Sequence, residues 1–578
     1  MVNTITSIEF IKLCNAHQNI IGLKDYSVEG ELKLIPPTFN GSGVELSNCV
    51  FKDKVIIANI ESDFWGFSIS QCRFERGLEF HNVCFDKSVM NESSLCDGII
   101  IETSEIKDRF LVRNSKINKG IQIYDSKLDV VLIRSMKSDS GGLNFSDTSV
   151  NKNITISQSQ IGNELRIAKT TVKEWMKIEN LFSSFYVFQG NLFEGRLMIW
   201  AGSAKGGITF NNGVYNEEIK IESVITEGGL TVSGDLLKKA LIVKYYDITN
   251  NKYGGPQSFF LNSCSFENGL IVDGEKTFLE KAEIKQIQIP STNLLSGLIQ
   301  FVGLTVHEVV SISGVNKSAH IVFKNVQIQE VRFEYFTNYG YLQFIDVRST
   351  REGKSNFLVL NSDLGKTSFH NTFLDSFSDV DIVNSNLTQI TSSYIRWFNP
   401  QQILNKSKES NDFGRNRDLF RQLKFAMLKQ GDRVQALFFK KYEMVALSCE
   451  LNKAKGRSGE KFMMWLNKSN DYGQDWIRPI WLGVLVTVIL YIFLIIAVAP
   501  ELSSSFSFRI ENLINTCSVI PKYSFMIFKL LNPTHIYSSL IPSIRDNLFG
   551  NLIDVLQRIT ISYFIFQTIS AFRKYIRE

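Results

Sequence analysis

The chain opens on a recurring pattern of apolar and polar positions. Phe110-Leu-Val-Arg-Asn-Ser-Lys-Ile117 is followed by Ile121-Gln-Ile-Tyr-Asp-Ser-Lys-Leu128. Each unit reads apolar, any, apolar, four mostly polar residues, apolar, then a short turn. Units open at Val44, Val55, Phe67, Leu78 and so on to Leu241, at steps of 10, 11 or 12 residues. Alternation over three residues predicts a short strand. A fixed period predicts a solenoid, whose neighbouring units bury faces that none can bury alone. Later units fit as well, among them Phe259–Phe266, Ile321–Ile328, Phe357–Leu364 and Val380–Leu387, with loops expected near 249–258, 274–297 and 350–356.

The polar corner of a unit is often Asn or Asp followed by Ser, Thr or Cys, as in Asn48-Cys49, Asn114-Ser115 and Asn361-Ser362. Asn and Asp tolerate bent backbones and bond to nearby amides. Cys49 and Cys72 share the sixth position of their units, which reads as a ladder of stacked small side chains rather than a disulfide. Two units make about one coil of a right-handed parallel β-helix, and some fifteen coils spaced ~4.8 Å apart would make a rod on the order of 70 Å. The expected organisation is an N-terminal cap (1–40), a β-helix repeat domain (41–390), a polar linker (391–412), a helical connector (413–475) and a transmembrane module (476–578). The fold class is mainly β: a right-handed parallel β-helix, then an α-helical hairpin and a two-helix transmembrane module.

Helical spacing takes over after the linker. Phe413, Phe420, Leu423 and Met427 mark one helix. Gly431 stops it, Asp432 caps the next, and Val434, Leu437, Phe438, Tyr442 and Val445 give that helix an apolar stripe. Basic residues are dense along this hairpin, suiting either a solvated face or contact with anionic lipid. Pro479–Ala499 carries no charge over 21 residues and is long enough to cross a bilayer. Trp476 and Trp481 stand where an interfacial belt would be. A second span is expected at about 552–572, interrupted by Asp554, Gln557, Arg558 and Gln567. Charges in a span are costly and face protein or water. These four are the candidate pore or interface residues, and Asp554 and Arg558 stand four apart, able to pair on one helix face. The segment Ser524–Leu531 is too short to cross, so it lies on the surface or re-enters.

Orientation follows from charge. Residues 451–478 hold six Lys/Arg and the last seven hold three, against four between the spans. The positive-inside rule then puts both termini in the cytoplasm of a multi-pass inner-membrane protein. Arg478, Arg573 and Lys574 become candidate lipid-headgroup contacts. Free thiols and the lack of a secretory signal at the start agree with a cytoplasmic repeat domain.

Several short sequences carry a family resemblance: Arg421-Gln-Leu-Lys424, Gly431-Asp432, Glu443-Met444, Ser469-Asn470-Asp-Tyr472-Gly473, Arg478-Pro479, Asn532-Pro533-Thr-His535 and Ala571-Phe-Arg-Lys-Tyr575. Together, residues 413–578 resemble the C-terminal module of uncharacterised bacterial membrane proteins in which pentapeptide-repeat-like β-helices precede two spans, laid out like a two-span ion channel. The resemblance implies membrane lipids as partners, and the motif positions Arg421, Asp432, Asn470, Tyr472, Gly473, Asn532, Pro533 and His535 as its marks. His535 follows Asn532-Pro533 and reads as a turn at the membrane surface.

Composition narrows the classes. A net charge of +5 over 578 residues gives no concentrated basic face, so no nucleic acid is expected. Six histidines and eight cysteines show no metal-like spacing, and no phosphate-binding loop or nucleophile motif occurs. No cofactor and no enzymatic activity are expected. A carbohydrate-active β-helix would need clustered carboxylates on one face. The expected function is recognition: the β-helix binds a macromolecular partner and couples it to the membrane module, in a homo-oligomer. The alternative is an oligomeric ion channel or membrane-disrupting effector, for which phage defence is one setting.

Overall fold

The computed structural model describes residues 3–16, 21–36, 44–64, 67–85, 89–92, 94–247, 253–254, 256–275, 281–291, 295–350, 354–410, 412–453, 456–498, 519–540 and 548–572. Arg573, Lys574 and Cys517 lie outside these residues. The chain divides into two compact units, Met1–Asn399 and Pro400–Glu578.

The first unit is a parallel β-solenoid of about 16 turns. Each unit of the repeat pairs in register with the unit after next. Val44 pairs with Phe67, Phe67 with Val89 and Val89 with Phe110, while Val55 pairs with Leu78, Leu78 with Ile99 and Ile99 with Ile121. One repeat is therefore half a coil. Two-residue strands such as Val50–Phe51 and Arg73–Phe74 form further ladders along the corners. The third residue of a unit is buried like the first, because both point inward from a strand of period two. At Phe110–Arg113 the residues run buried, half-buried, buried, exposed. Inside, like stacks on like. The rings of Phe301, Phe323, Phe344 and Phe369 lie 5.3, 5.4 and 5.3 Å apart and within 12° of parallel.

The fifth residue of most units turns the corner in the left-handed region. Asn48, Asn82, Asn114, Asp125, Asp147, Asn212, Asn361, Asn371 and Asn384 all have φ between 46° and 53° except Asp125 at 43°. An L-residue pays a steric cost there that Asn and Asp lessen and glycine avoids. Asn114→Val is thus expected to destabilise the solenoid by about 1–2 kcal/mol, whereas Asn114→Gly stays near the native midpoint in chemical denaturation. Equal midpoints for the two variants would show that the corner tolerates a β-branched residue.

The sixth residue forms the second ladder. Cys49 N–H donates to Cys72 Sγ at 3.4 Å, Cys72 N–H to Ser94 Oγ at 3.2 Å, and Ser94 N–H to Ser115 Oγ at 3.3 Å. Each small side chain thus accepts a buried amide from the coil before it. The two cysteines are free thiols in this ladder.

Residues expected as an N-terminal cap carry the ladder themselves. Ile21 pairs with Val44 and Leu32 with Val55. Helix α1 (Ser7–Ala16) buries Phe10 and Cys14, with the Phe10 ring edge-on to Phe51 at 5.6 Å. Two other expectations differ from the structure. The stretch 274–297, read as a loop, contains strands Ala282–Ile284 and Gln286–Ser291. The stretch 391–412, read as a linker, contains strand Thr391–Ser393 and helix α2 (Pro400–Ser410). Their polar outer residues masked inward positions such as Ile287, Ile403 and Leu404, all buried.

The second unit is helical. Helices α3 (Phe413–Lys429) and α4 (Arg433–Lys453) form the expected hairpin, with Gly431 at φ 80° and Asp432 Oδ1 accepting the Gln435 amide at 3.0 Å. Helix α5 (Ser458–Asn467) follows, then the turn Lys468–Gly473 and helix α6 (Ile477–Val498). Asp475 Oδ1 caps α6 by accepting the amides of Ile477 and Arg478 at 2.9 and 3.1 Å. Helix α7 (Phe525–Leu530) packs on α6, and helix α8 (Leu548–Phe572) runs antiparallel to it. Among the described residues α6 alone is long and apolar enough to cross a membrane. Helix α8 has the length, but Asp554 and Arg558 and the two glutamines interrupt its apolar sequence.

Candidate functional site

The polar residues of α8 each meet a partner inside the helical unit. His535 Nε2 lies 2.5 Å from Asp554 Oδ1, and the other carboxylate oxygen of Asp554 accepts from Arg558 Nε and Nη2 at 2.8 and 2.6 Å. His535 Nδ1 lies 2.6 Å from the Asn532 carbonyl. Both ring nitrogens face oxygens, those of Asp554 and of the Asn532 carbonyl. The side chains of His535 and Asp554 are 4% exposed, against 35% for Arg558. A carboxylate this buried needs such partners, since an unpaired buried charge is costly. The His535 side chain is thus turned into the unit, while Asn532, Thr534 and Ile536 of the same turn are exposed. The reason is Asp554, which only the fold brings to it across 19 residues. Asn532 shapes the turn, its Oδ1 accepting the Thr534 amide and hydroxyl at 3.1 and 2.8 Å.

One turn further along α8, Gln557 Nε2 donates to Thr487 Oγ1 at 2.8 Å and to the Leu530 carbonyl at 3.3 Å. Gln557 Oε1 is buried and accepts from no described residue. Thr487 sits halfway along the 22 residues of α6. The described part of the connection between the two long helices, residues 519–540, therefore packs back against the middle and second half of α6. It is held there by an apolar cluster of Tyr491, Leu494, Ile495 and Val498 with Met526, Leu530, Leu540 and Ile553, and by Tyr491 Oη donating to the Ile520 carbonyl at 2.5 Å. Two glycines permit the close approach. A Cβ on Gly550 would stand 2.5 Å from Val498 Cγ2 and from Tyr537 Oη, and one on Gly483 would stand 3.2 Å from Phe564 Cβ.

The remaining motif residues gather at the other end of α8. Asn470 Nδ2 donates to Gln567 Oε1 at 2.5 Å while its Oδ1 accepts the Gly473 amide at 2.9 Å. Asp471, Tyr472 and Gly473 have φ of 52°, 58° and 88°. Two non-glycine residues in a row in the left-handed region are costly, and Lys441 Nζ holds Asp471 Oδ2 at 2.5 Å. In the hairpin, buried Glu443 is clamped by Arg421 Nε at 3.2 Å and Lys424 Nζ at 2.7 Å. Arg478 is exposed in the first turn of α6.

Sequence reading singled out the α8 residues and the motif separately. It missed that they are partners, and it missed Thr487 altogether. One hydroxyl in an apolar run is a weak signal until the facing Gln557 is known. No protein-family model, no curated protein and no solved structure matches the chain.

Proposed function

We propose that the protein is a membrane-anchored recognition protein. Its solenoid binds a macromolecular partner, and that binding is coupled to a two-span membrane module made of α6 and α8. The observation that carries the reading is the set of aromatic side chains left in solvent on a rigid stack of coils. Trp200, Phe182 and Phe185 are 48%, 52% and 43% exposed, and Tyr335, Tyr339 and Tyr341 are 50–68% exposed. Rigid exposed aromatics supply contact area at little entropic cost, and they are enriched at interfaces. The apolar faces of the coils are meanwhile consumed by stacking, so these side chains are surplus to folding. Helix α6, whose Trp481, Leu485, Ile489 and Phe493 are exposed, supplies the anchor. The charge asymmetry around the spans argues for an inner-membrane protein with both termini in the cytoplasm, and several copies are expected to assemble.

A second reading is favoured by the segment that folds back to mid-helix. A short helix and turn between two long helices, beside the unpaired Gln557 oxygen and the Asp554–Arg558 pair, is the layout of an oligomeric channel or membrane-disrupting effector. Related bacterial membrane proteins with pentapeptide-repeat-like β-helices are the family the reading points to.

Proximity labelling in cells separates these readings. Full-length protein with Trp200→Ala and Phe185→Ala should lose its labelled partner about tenfold or more while staying in the membrane fraction. Losing even one aromatic anchor, worth ~2 kcal/mol or more, already exceeds tenfold. Unchanged labelling removes this face from the recognition reading. Ion flux from liposomes that changes with Arg558→Ala decides for the channel.

A further inference from the structure

Within the helical unit, a cavity of about 680 Å³ opens between the α3–α4 hairpin, the turn Asn467–Gly473 and the last turns of α8. Three cations line it, Lys424, Arg433 and Lys440, and no carboxylate does. Lys424 shares Glu443 with Arg421. Arg433 and Lys440 have no acidic partner among the described residues, and both are exposed. They stand seven apart on α4, with Leu437 and Met444 on the same stripe, so cation and apolar side chains alternate along one wall. Phe425, Leu428 and Phe566 complete the apolar lining, at 53%, 48% and 65% exposed.

The position of the cavity is as informative as its lining. Phe566 and Ser570 belong to the last two turns of α8, and Asn470 and Gly473 directly precede α6. The cavity therefore lies at the shared end of the two long helices. Nearby, α5 buries none of its residues and exposes Phe462, Met463 and Trp465, flanked by Arg457, Lys461 and Lys468. An amphipathic helix of that kind beside the start of an apolar helix suits the boundary between headgroups and acyl chains.

We propose that this cavity is a binding site for an anionic glycerophospholipid. Arg433 and Lys440 take the phosphate, Lys424 extends the positive field, and the Phe425–Leu428–Phe566 surface takes the upper acyl chain. Cationic pockets between helices at the membrane face bind acidic headgroups for this reason, and the volume is that of a small-molecule site. The inference rests on α6 and α8 being membrane spans.

The test uses full-length protein in neutral detergent, with retained lipid counted by native mass spectrometry. Phosphatidylglycerol, phosphatidylcholine and soluble glycerol phosphate are titrated separately against wild type and against Arg433→Gln/Lys440→Gln. Both side chains are exposed and unpaired, so the variant keeps its fold, which the thermal midpoint checks. Wild type should retain phosphatidylglycerol and not phosphatidylcholine, and the variant should bind phosphatidylglycerol about thirtyfold more weakly, roughly fivefold per cation. Equal retention by the variant overturns the site. Glycerol phosphate binding as tightly as the lipid overturns the lipid as occupant and makes the ligand a soluble phosphate. Vesicle flotation without detergent tests the premise independently: wild type that fails to float removes the membrane reading, whereas a floating variant with undiminished lipid retention removes only the site.

Discussion

Asp554→Ala is expected to cost the helical unit about 3–5 kcal/mol, the usual penalty for breaking a buried charge network from one side. Asp554 is 3% exposed and its two oxygens hold His535 and Arg558. Removing it leaves a cation and a histidine facing each other with no anion between them, and frees the turn that carries Asn532. Thermal unfolding of the full chain in detergent reads the loss. The triple variant His535→Leu/Asp554→Leu/Arg558→Leu is the informative companion. Replacing a whole buried charge network by apolar side chains is often neutral or stabilising, so it should recover most of the lost stability. If the recovered triple variant has also lost ion flux that wild type shows, the network serves conduction beyond packing. Should Asp554→Ala melt with wild type, the network does not hold the turn at mid-helix.

Asp235 is expected to make the solenoid less stable above neutral pH, and Asp235→Asn to remove that weakness. The residue is 2% exposed and occupies the ladder position held elsewhere by Ser, Thr or Asn. Its Oδ1 and Oδ2 accept the amides of Gly213 and Ser233 at 2.7 and 3.1 Å. Burial nonetheless outweighs these bonds and raises its pKa from 3.8 to about 7. Its titratable neighbours stay neutral in that range, since burial also pushes the Cys264 thiol up to about 12 and the Tyr215 phenol upward. Below about pH 4 the carboxyl is protonated in both folded and unfolded chains and the full stability is present. Between pH 4 and 7 the unfolded chain releases its proton first, so stability falls. Above pH 7 the loss levels off at roughly 4 kcal/mol, because each tenfold difference in proton affinity between the two states is worth about 1.4 kcal/mol. Asn fits the position, because Asn191 stands two coils earlier in the same ladder. There its Oδ1 accepts the Thr170 amide at 2.9 Å and its Nδ2 donates to the Ile167 carbonyl at 2.7 Å. Asp235→Asn should therefore raise the melting temperature at pH 8 and leave it nearly unchanged at pH 4. An equal gain at both pH values would assign the effect to packing instead of ionisation.

Much of the first unit was legible from its residues because its order is local and repeated. Apolar residues one and three, the Asn or Asp corner and the small sixth residue each state a constraint that recurs every half coil. Repetition averages away the exceptions, as at Tyr335 or Lys169, which take the left-handed corner without being Asn or Gly. The 391–412 stretch was misread for the opposite reason. It is a single copy of its kind, and its few buried residues, Ile403 and Leu404 among them, are outnumbered by polar ones facing out.

The sequence by itself determined the β-solenoid, the helical hairpin with its Gly431-Asp432 turn and the apolar helix α6, because periodicity, capping and hydropathy are properties of neighbouring residues. Only the tertiary structure decided that every second unit pairs, that His535 belongs to Asp554 and Gln557 to Thr487, and that three cations of the hairpin line one cavity with the end of α8. Those partners stand 19 to 70 residues apart where they are hydrogen-bonded. A lone polar residue in a sequence carries no record of which side chain will satisfy it. The cost of burying it unpaired selects that partner only once the chain has folded.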